Sequence, residues 1–362
     1  MSHWACAVTQ RTSAASNAVK RCFIKKISNS AVKVLISRQV TKIAKIILFS
    51  VLAGVLPFMA SAQRSGYVIS PKNGEVAVSQ EYVRGVVDYL CDPSLGGRAT
   101  GSHGAVKVAS WLDDQFSAAG LQYVGGAYLH GFSVDGARAR NVIGVIPGTS
   151  SKVVIVMAHY DNLGTLGGTF FPGADSNASG VAALLQLVKM FSYMKECHKT
   201  YNATLMFVAL DAKEKDQAGA ANLWSKISDG RLGFGPDDIS MVVNLDQLGS
   251  TLSPITKGNP DYLIMLSEEA TGRRFSLMNA EKTQHIGLEL GYDYYGSKDF
   301  TKLFYRRISD QRVFLDNGIP AVMFTSGITM LNNKPGDTPD TLDYPVLIKR
   351  IRLIFYYLDK VL

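Results

Sequence analysis

Residues 152–161 read Lys-Val-Val-Ile-Val-Met-Ala-His-Tyr-Asp, and residues 173–180 read Gly-Ala-Asp-Ser-Asn-Ala-Ser-Gly. The first stretch is a run of β-branched and apolar residues too short for a helix, and it ends in polar groups. Apolarity without alternation means burial on both faces, the condition of a strand in a helix-covered parallel sheet. The second stretch is a glycine-bounded polar loop leading into Ser179–Glu196. There Val181, Leu184, Leu185, Val188 and Phe191 share one helical face. A buried strand, a polar loop and an amphipathic helix in succession form the building unit of an α/β fold.

The unit recurs along the chain. Short apolar runs at Asn141–Pro147, Thr204–Leu210, Ser240–Leu245 and Ile319–Phe324 predict further strands. Gly104–Gly120 and Val346–Leu358 show helical spacing of apolar residues. The order predicts a three-layer α/β sandwich, a mostly parallel central sheet flanked by helices. Residues 251–307 are more polar and aromatic, without clear strand–helix alternation, and read as an insertion. The expected organisation is a leader over 1–62 and one domain over 63–362.

The net charge of +8 is confined to that leader. Residues 1–63 hold nine of the 38 Lys and Arg and none of the 30 acids, so the remainder is close to neutral. Without the leader nothing supports nucleic-acid binding. Lys42 and Lys45 precede an apolar run from Ile46 to Met59, followed by Ala60-Ser61-Ala62. This reads as a cleaved secretory signal, with an uncleaved anchor or a transit peptide as alternatives. The run is shorter than the roughly 20 residues a membrane span needs. The expectation is therefore a secreted or periplasmic protein with no stable membrane span after cleavage. Cys91 and Cys197, the two cysteines beyond the leader, make no disulfide framework and no zinc-finger spacing.

In an open α/β sheet, ligands bind outside the carboxyl ends of the strands. The polar residues just past each predicted strand are His159 and Asp161, then Asp211, Lys213 and Glu214, then Asp246, with Asp175 at the start of a helix. A histidine and several carboxylates at one sheet edge suit a metal of borderline-to-hard character, zinc foremost. Asp161 is placed to accept the imidazole N–H and fix the metal-binding tautomer. Taken singly, each motif has a plainer reading: His-x-Asp as a turn, Gly173–Gly180 as a capped helix start, Lys213-Glu214 as a solvated pair. Their co-occurrence at four strand ends argues for a site.

From about Glu81 onward the chain resembles the zinc aminopeptidases of metallopeptidase family 28, which also include glutaminyl cyclases. The resemblance runs through Gly97-Arg98-Ala99-Thr100-Gly101-Ser102, Asn141–Val145, His159-Tyr160-Asp161, Gly173–Gly180, Asn244-Leu245-Asp246, Ser309-Asp310, Gly318–Ala321 and Asp337-Thr338-Pro339. It implies a two-zinc site, with His159 and Asp246 on one metal, Glu214 on the other and Asp175 bridging. It also implies a peptide or protein substrate.

Three departures matter. Lys213 stands where the family carries the Glu that serves as general base, Asn333 where it carries a metal-binding His, and Gln311 where Ser-Asp-His ends. A charged ammonium accepts no proton, and an amide oxygen is a poor zinc ligand. The expectation is at most one zinc, held by His159, Asp175 and Asp246, with Lys213 in the emptied second-metal position beside Asp175 or Glu214. Function is then an exopeptidase of aminopeptidase type with impaired catalysis, or a pseudoenzyme that binds a peptide or protein.

Overall fold

The computed structural model describes residues 78–268, 271–293 and 297–362. The expected leader and secretory signal lie outside them. In chain order the elements begin with α1 (Gln80–Leu90), a 3-10 turn (Pro93–Arg98) and α2 (His103–Ala118). Then come β1 (Gln122–Tyr123), β2 (Leu129–Val134), β3 (Ala137–Ile146), β4 (Val153–His159) and the small hairpin β5 (Gly164–Leu166) and β6 (Thr169–Phe171). The chain continues through α3 (Ser179–Glu196), β7 (Thr204–Leu210), α4 (Ala218–Ser228), β8 (Ile239–Leu245) and β9 (Tyr262–Ser267). It closes with α5 (Thr271–Gln284), β10 (Glu289–Gly291), α6 (Lys298–Arg307), α7 (Gln311–Asp316), β11 (Ala321–Thr325) and α8 (Tyr344–Val361).

The central sheet runs β1-β3-β7-β4-β8-β11-β9-β10, with β2 also paired to β3. The block β7-β4-β8-β11 is parallel, whereas β3 and β9 run antiparallel to their inner neighbours. Register brings His159 opposite Leu210 and Met157 opposite Asn244, so the residues following these strands emerge side by side.

Strand alternation divides two cores. Val154, Val156 and Ala158 face α1, α2, α3, α5 and α8, while Val153, Ile155 and Met157 face α4, α6 and α7. This is the three-layer sandwich expected from the apolar runs. Cys91 is buried, Cys197 is exposed, and neither is in a disulfide. Among the described residues no helix is long and apolar enough to cross a membrane.

The expected lack of strand–helix alternation over 251–307 is corrected. The segment supplies β9 and β10 to the sheet and α5 and α6 to opposite layers. Tyr262–Ser267 is an apolar strand nearly as buried as β8. Its flanking helices are polar because each turns only a narrow face inward, Leu277 and Ala280 from α5 and Phe304 and Tyr305 from α6.

One buried cation ties the layers to the site. Arg98 has no solvent exposure. It donates to the carbonyls of Leu90, Tyr160, Pro172 (2.7 Å) and Gly173 (3.1 Å), joining α1, the end of β4 and the loop before α3. Gly97 precedes it at φ +73°, where a Cβ would lie 2.6 Å from the Phe171 carbonyl oxygen, so only glycine admits this approach. Arg98→Met leaves several buried carbonyls without donors. The expected loss is on the order of 3–5 kcal/mol of unfolding free energy in urea titration. A loss under about 1 kcal/mol would show that water replaces the guanidinium.

Candidate functional site

His159 ends β4 with its ring fully buried. Its Nδ1 lies 3.1 Å from the backbone carbonyl of Asp161, which accepts the ring N–H. The tautomer is thus fixed by the carbonyl, not by the carboxylate anticipated from the sequence, which stands 3.6 Å away. The Asp161 carboxylate instead accepts from the backbone N–H of Lys213 (3.0 Å) and of Glu214 (3.1 Å), tying the loop after β7 to β4.

On its other side, His159 Nε2 faces Asp246 Oδ1 at 3.6 Å, too long for a hydrogen bond, and both atoms are buried without partners. The second Asp246 oxygen accepts from Ser309, whose hydroxyl also accepts from Asn244. The Asn244 amide reaches on to Gln311, which donates to the Tyr305 carbonyl. Burial disfavours charge on His159, but Asp161 and Asp246 outweigh it and lift its pKa to about 10. Burial likewise opposes the Asp246 carboxylate, yet His159, Lys213 and Ser309 hold it down at about 2.

The Lys213 ammonium is 2.8 Å from Glu214 Oε1. Burial would lower its pKa, but Asp246, Glu214 and Asp310 hold it well above the ordinary lysine range. Lys213, Asp246, Gln247, Ile308, Met323 and Asn333 border a cavity of about 170 Å³. Asn333 sits there at φ +55°. Asp310 is fully buried, with neither carboxylate oxygen hydrogen-bonded, and burial raises its pKa to about 7.

Asp175 faces another way. Its Oδ1 accepts from Gly249 N–H (2.7 Å) and the Ser179 hydroxyl (3.0 Å), and its Oδ2 is buried without a partner. It borders a second, narrower space with Ser176, Gln247, Asn332 and Asp337. Burial and the neighbouring Asp337 raise its pKa to about 7.

The structure therefore brings His159, Asp161, Asp246, Lys213 and Glu214 around one centre and turns Asp175 toward the second space. Lys213 pairs with Glu214 and not with Asp175. This donor set does not fit a two-zinc centre. His159 Nε2 and Asp246 Oδ1 face each other without a hydrogen bond, but Glu214 is engaged by an ammonium. Among the described residues no three His, Cys, Asp or Glu side chains converge on a point a metal could occupy.

Sequence reasoning passed over Gln247 and Arg350, and gave Arg98 no role. Gln247 bridges the two spaces through Asn332, Nε2 to Oδ1 at 2.7 Å. Arg350 is fully buried and donates to the carbonyls of Tyr262, Leu248 and Ser250. A signal existed for Arg350, since it lies on the same helical stripe as Leu347, Ile351 and Ile354, where a cation needs buried acceptors.

Comparison with known proteins agrees with the fold. The zinc aminopeptidase from Bacillus subtilis superposes with a TM-score of 0.59 over 78% of this chain and 95% of its own, at 12% identity. The alkaline phosphatase isozyme conversion protein of Escherichia coli (strain K12) is 27% identical over 197 residues, 49% of this chain and 52% of that protein. The BOS complex subunit ncln of Danio rerio is 30% identical over 128 residues, 33% of this chain and 22% of that protein. The chain thus spans from about a fifth to a half of the length of these two relatives. The model of peptidase family M28 matches residues 141–358, well over half of the chain and the part that carries His159, Asp175, Glu214 and Asp246. This protein belongs to peptidase family M28.

Proposed function

We propose that this chain is a peptidase-fold protein whose strand-end cleft binds a peptide or protein segment, with hydrolysis by a two-metal route lost. The observation that carries this reading is the Lys213 ammonium, 2.8 Å from Glu214 and held charged by Asp246 and Asp310. A cation there repels a second cation. It also accepts no proton from water at neutral pH, so the base that general-base hydrolysis needs is missing. The family implies zinc. The residues around Lys213 support an internal ion-pair network in its place.

The split among relatives is consistent with this, since one is named as a subunit of a complex. The leader supports a secreted or periplasmic place of action. A second reading rests on the unpartnered His159 Nε2 and Asp246 Oδ1, which leave room for a single zinc and a slow hydrolase.

The deciding experiment is metal stoichiometry of the purified protein, before and after zinc reloading, with a panel of aminoacyl reporter substrates. The expected result is far less than one zinc per chain and no chelator-sensitive turnover. One zinc per chain with chelator-sensitive turnover would establish the one-metal hydrolase instead.

Lys213→Met removes the cation and leaves Asp246, Glu214 and Asp310 facing one another. It is expected to cost about 3 kcal/mol at pH 7, less as pH falls toward 5 and Asp310, its pKa raised to about 7, takes up a proton. Thermal unfolding across that range measures it, and an unchanged Tm at pH 7 would refute the network.

His159 gives the opposite slope. Its folded pKa, about 10, lies above the ordinary 6.5, so its contribution is complete below about pH 6.5 and is lost as pH rises toward 10. The stability of His159→Gln should lack that alkaline decline.

A further inference from the structure

The narrow space beside Asp175 is built differently from the cleft around His159. Apart from Leu331, its lining side chains all carry oxygen, Asp175, Ser176, Gln247, Asn332 and Asp337 among them, and none is lysine, arginine or histidine. Three of these present buried polar atoms without partners: Asp175 Oδ2, Ser176 Oγ and Gln247 Oε1. All three side chains belong to residues more than nine-tenths buried. The Asp337 carboxylate accepts the backbone N–H of Asp175 (2.7 Å) and of Ser176 (3.0 Å), which holds the two carboxylates against the same space. Arg98 and Arg350 lie near, but the hydrogen bonds of both guanidinium groups go to backbone carbonyls and to neither carboxylate.

Buried polar oxygens without partners are ordinarily satisfied by water. Here that route is closed, because the space is nowhere wide enough to seat a water molecule. A bare cation meets the requirement that water cannot. Calcium approaches its oxygens to about 2.3–2.6 Å, nearer than the roughly 2.8 Å of a hydrogen bond, and takes six to eight of them in flexible geometry. Magnesium is disfavoured, since it sheds its waters reluctantly and this space has no room for them. Zinc is disfavoured by the absence of nitrogen and sulfur donors.

We propose that the oxygen-lined space formed by Asp175, Ser176, Gln247, Asn332 and Asp337 is a calcium site. It rests on the reading above in one respect: Asp175 is not drawn into a zinc centre with His159. Its place in the fold gives it a consequence. Asn332 belongs to the loop that carries Asn333 and is joined to Gln247, so a cation here fixes the loop that borders the Lys213 cavity.

The test uses the full chain, stripped with a calcium chelator and titrated with calcium chloride by calorimetry, with thermal unfolding in parallel. The expected result is one calcium per chain and a raised Tm, with no rise from magnesium or from sodium chloride at equal ionic strength. Ser176→Ala removes an oxygen that has no other partner. It should leave the calcium-free Tm unchanged and weaken calcium binding about tenfold. Gln247→Glu adds a third carboxylate and should tighten binding. No heat and no Tm rise with calcium would overturn the proposal, as would Ser176→Ala binding calcium like the parent, or sodium raising Tm equally. Zinc uptake abolished by His159→Ala would overturn the reading of the Lys213 network, while the calcium titration judges this site separately.

Discussion

Six aspartates, Asp161, Asp175, Asp211, Asp246, Asp310 and Asp337, are buried around the carboxyl ends of the parallel strands. Charge at that density is unfavourable in a protein interior unless each carboxylate finds a cation, a donor or a proton. The arrangement of the site follows from how that requirement is met. Asp161 is held by two backbone N–H groups and lies beside His159. Asp246 has Ser309, His159 and the field of Lys213. Asp211 accepts from Arg140 N–H, Ala212 N–H, Thr100 and Tyr160, and Asp337 from two backbone N–H groups. Asp310 has no hydrogen-bond partner and Asp175 keeps one oxygen bare, and these two show pKa values raised to about 7.

Lys213 is part of that solution, paired with Glu214 and with its charge favoured by Asp246 and Asp310. In a metal-bearing relative the positive charge at the strand ends is supplied by ions. Here part of it is covalently attached to the chain, two residues past Asp211. A tethered ammonium needs no ion to complete the fold, but it has one charge, no open coordination position and no capacity to polarise a carbonyl as a divalent ion does. On the function proposed above, the ammonium that stabilises Asp246 and Glu214 also displaces the chemistry that the family resemblance implies. Asp175 borders the space it shares with Asp337.

The layered architecture was legible because burial on both faces leaves an unmistakable pattern. β4, β7, β8 and β11 and the helices α2, α3 and α8 follow the apolar runs to within a few residues. β9 escaped notice, although Tyr-Leu-Ile-Met-Leu-Ser is as apolar as the others. It sits among loops and one-sided helices whose polarity masked it. The site residues were legible for a related reason. Strand ends are fixed by the runs that precede them, so His159, Lys213, Glu214 and Asp246 had to emerge at one edge.

Readable from the chain alone were the α/β class, the edge at which polar groups gather, and a lysine beside Glu214 just past β7. Those are properties of local pattern and residue chemistry, and they need no knowledge of where a side chain points. Packing across the fold sets the rest: the Asp161 carbonyl orients His159, Lys213 pairs with Glu214, and Asp175 borders a space with Asp337 and Gln247. Each of these depends on distances of a few ångströms between residues tens or hundreds of positions apart. Coulombic and hydrogen-bond energies change steeply over such distances, and sequence spacing does not encode them.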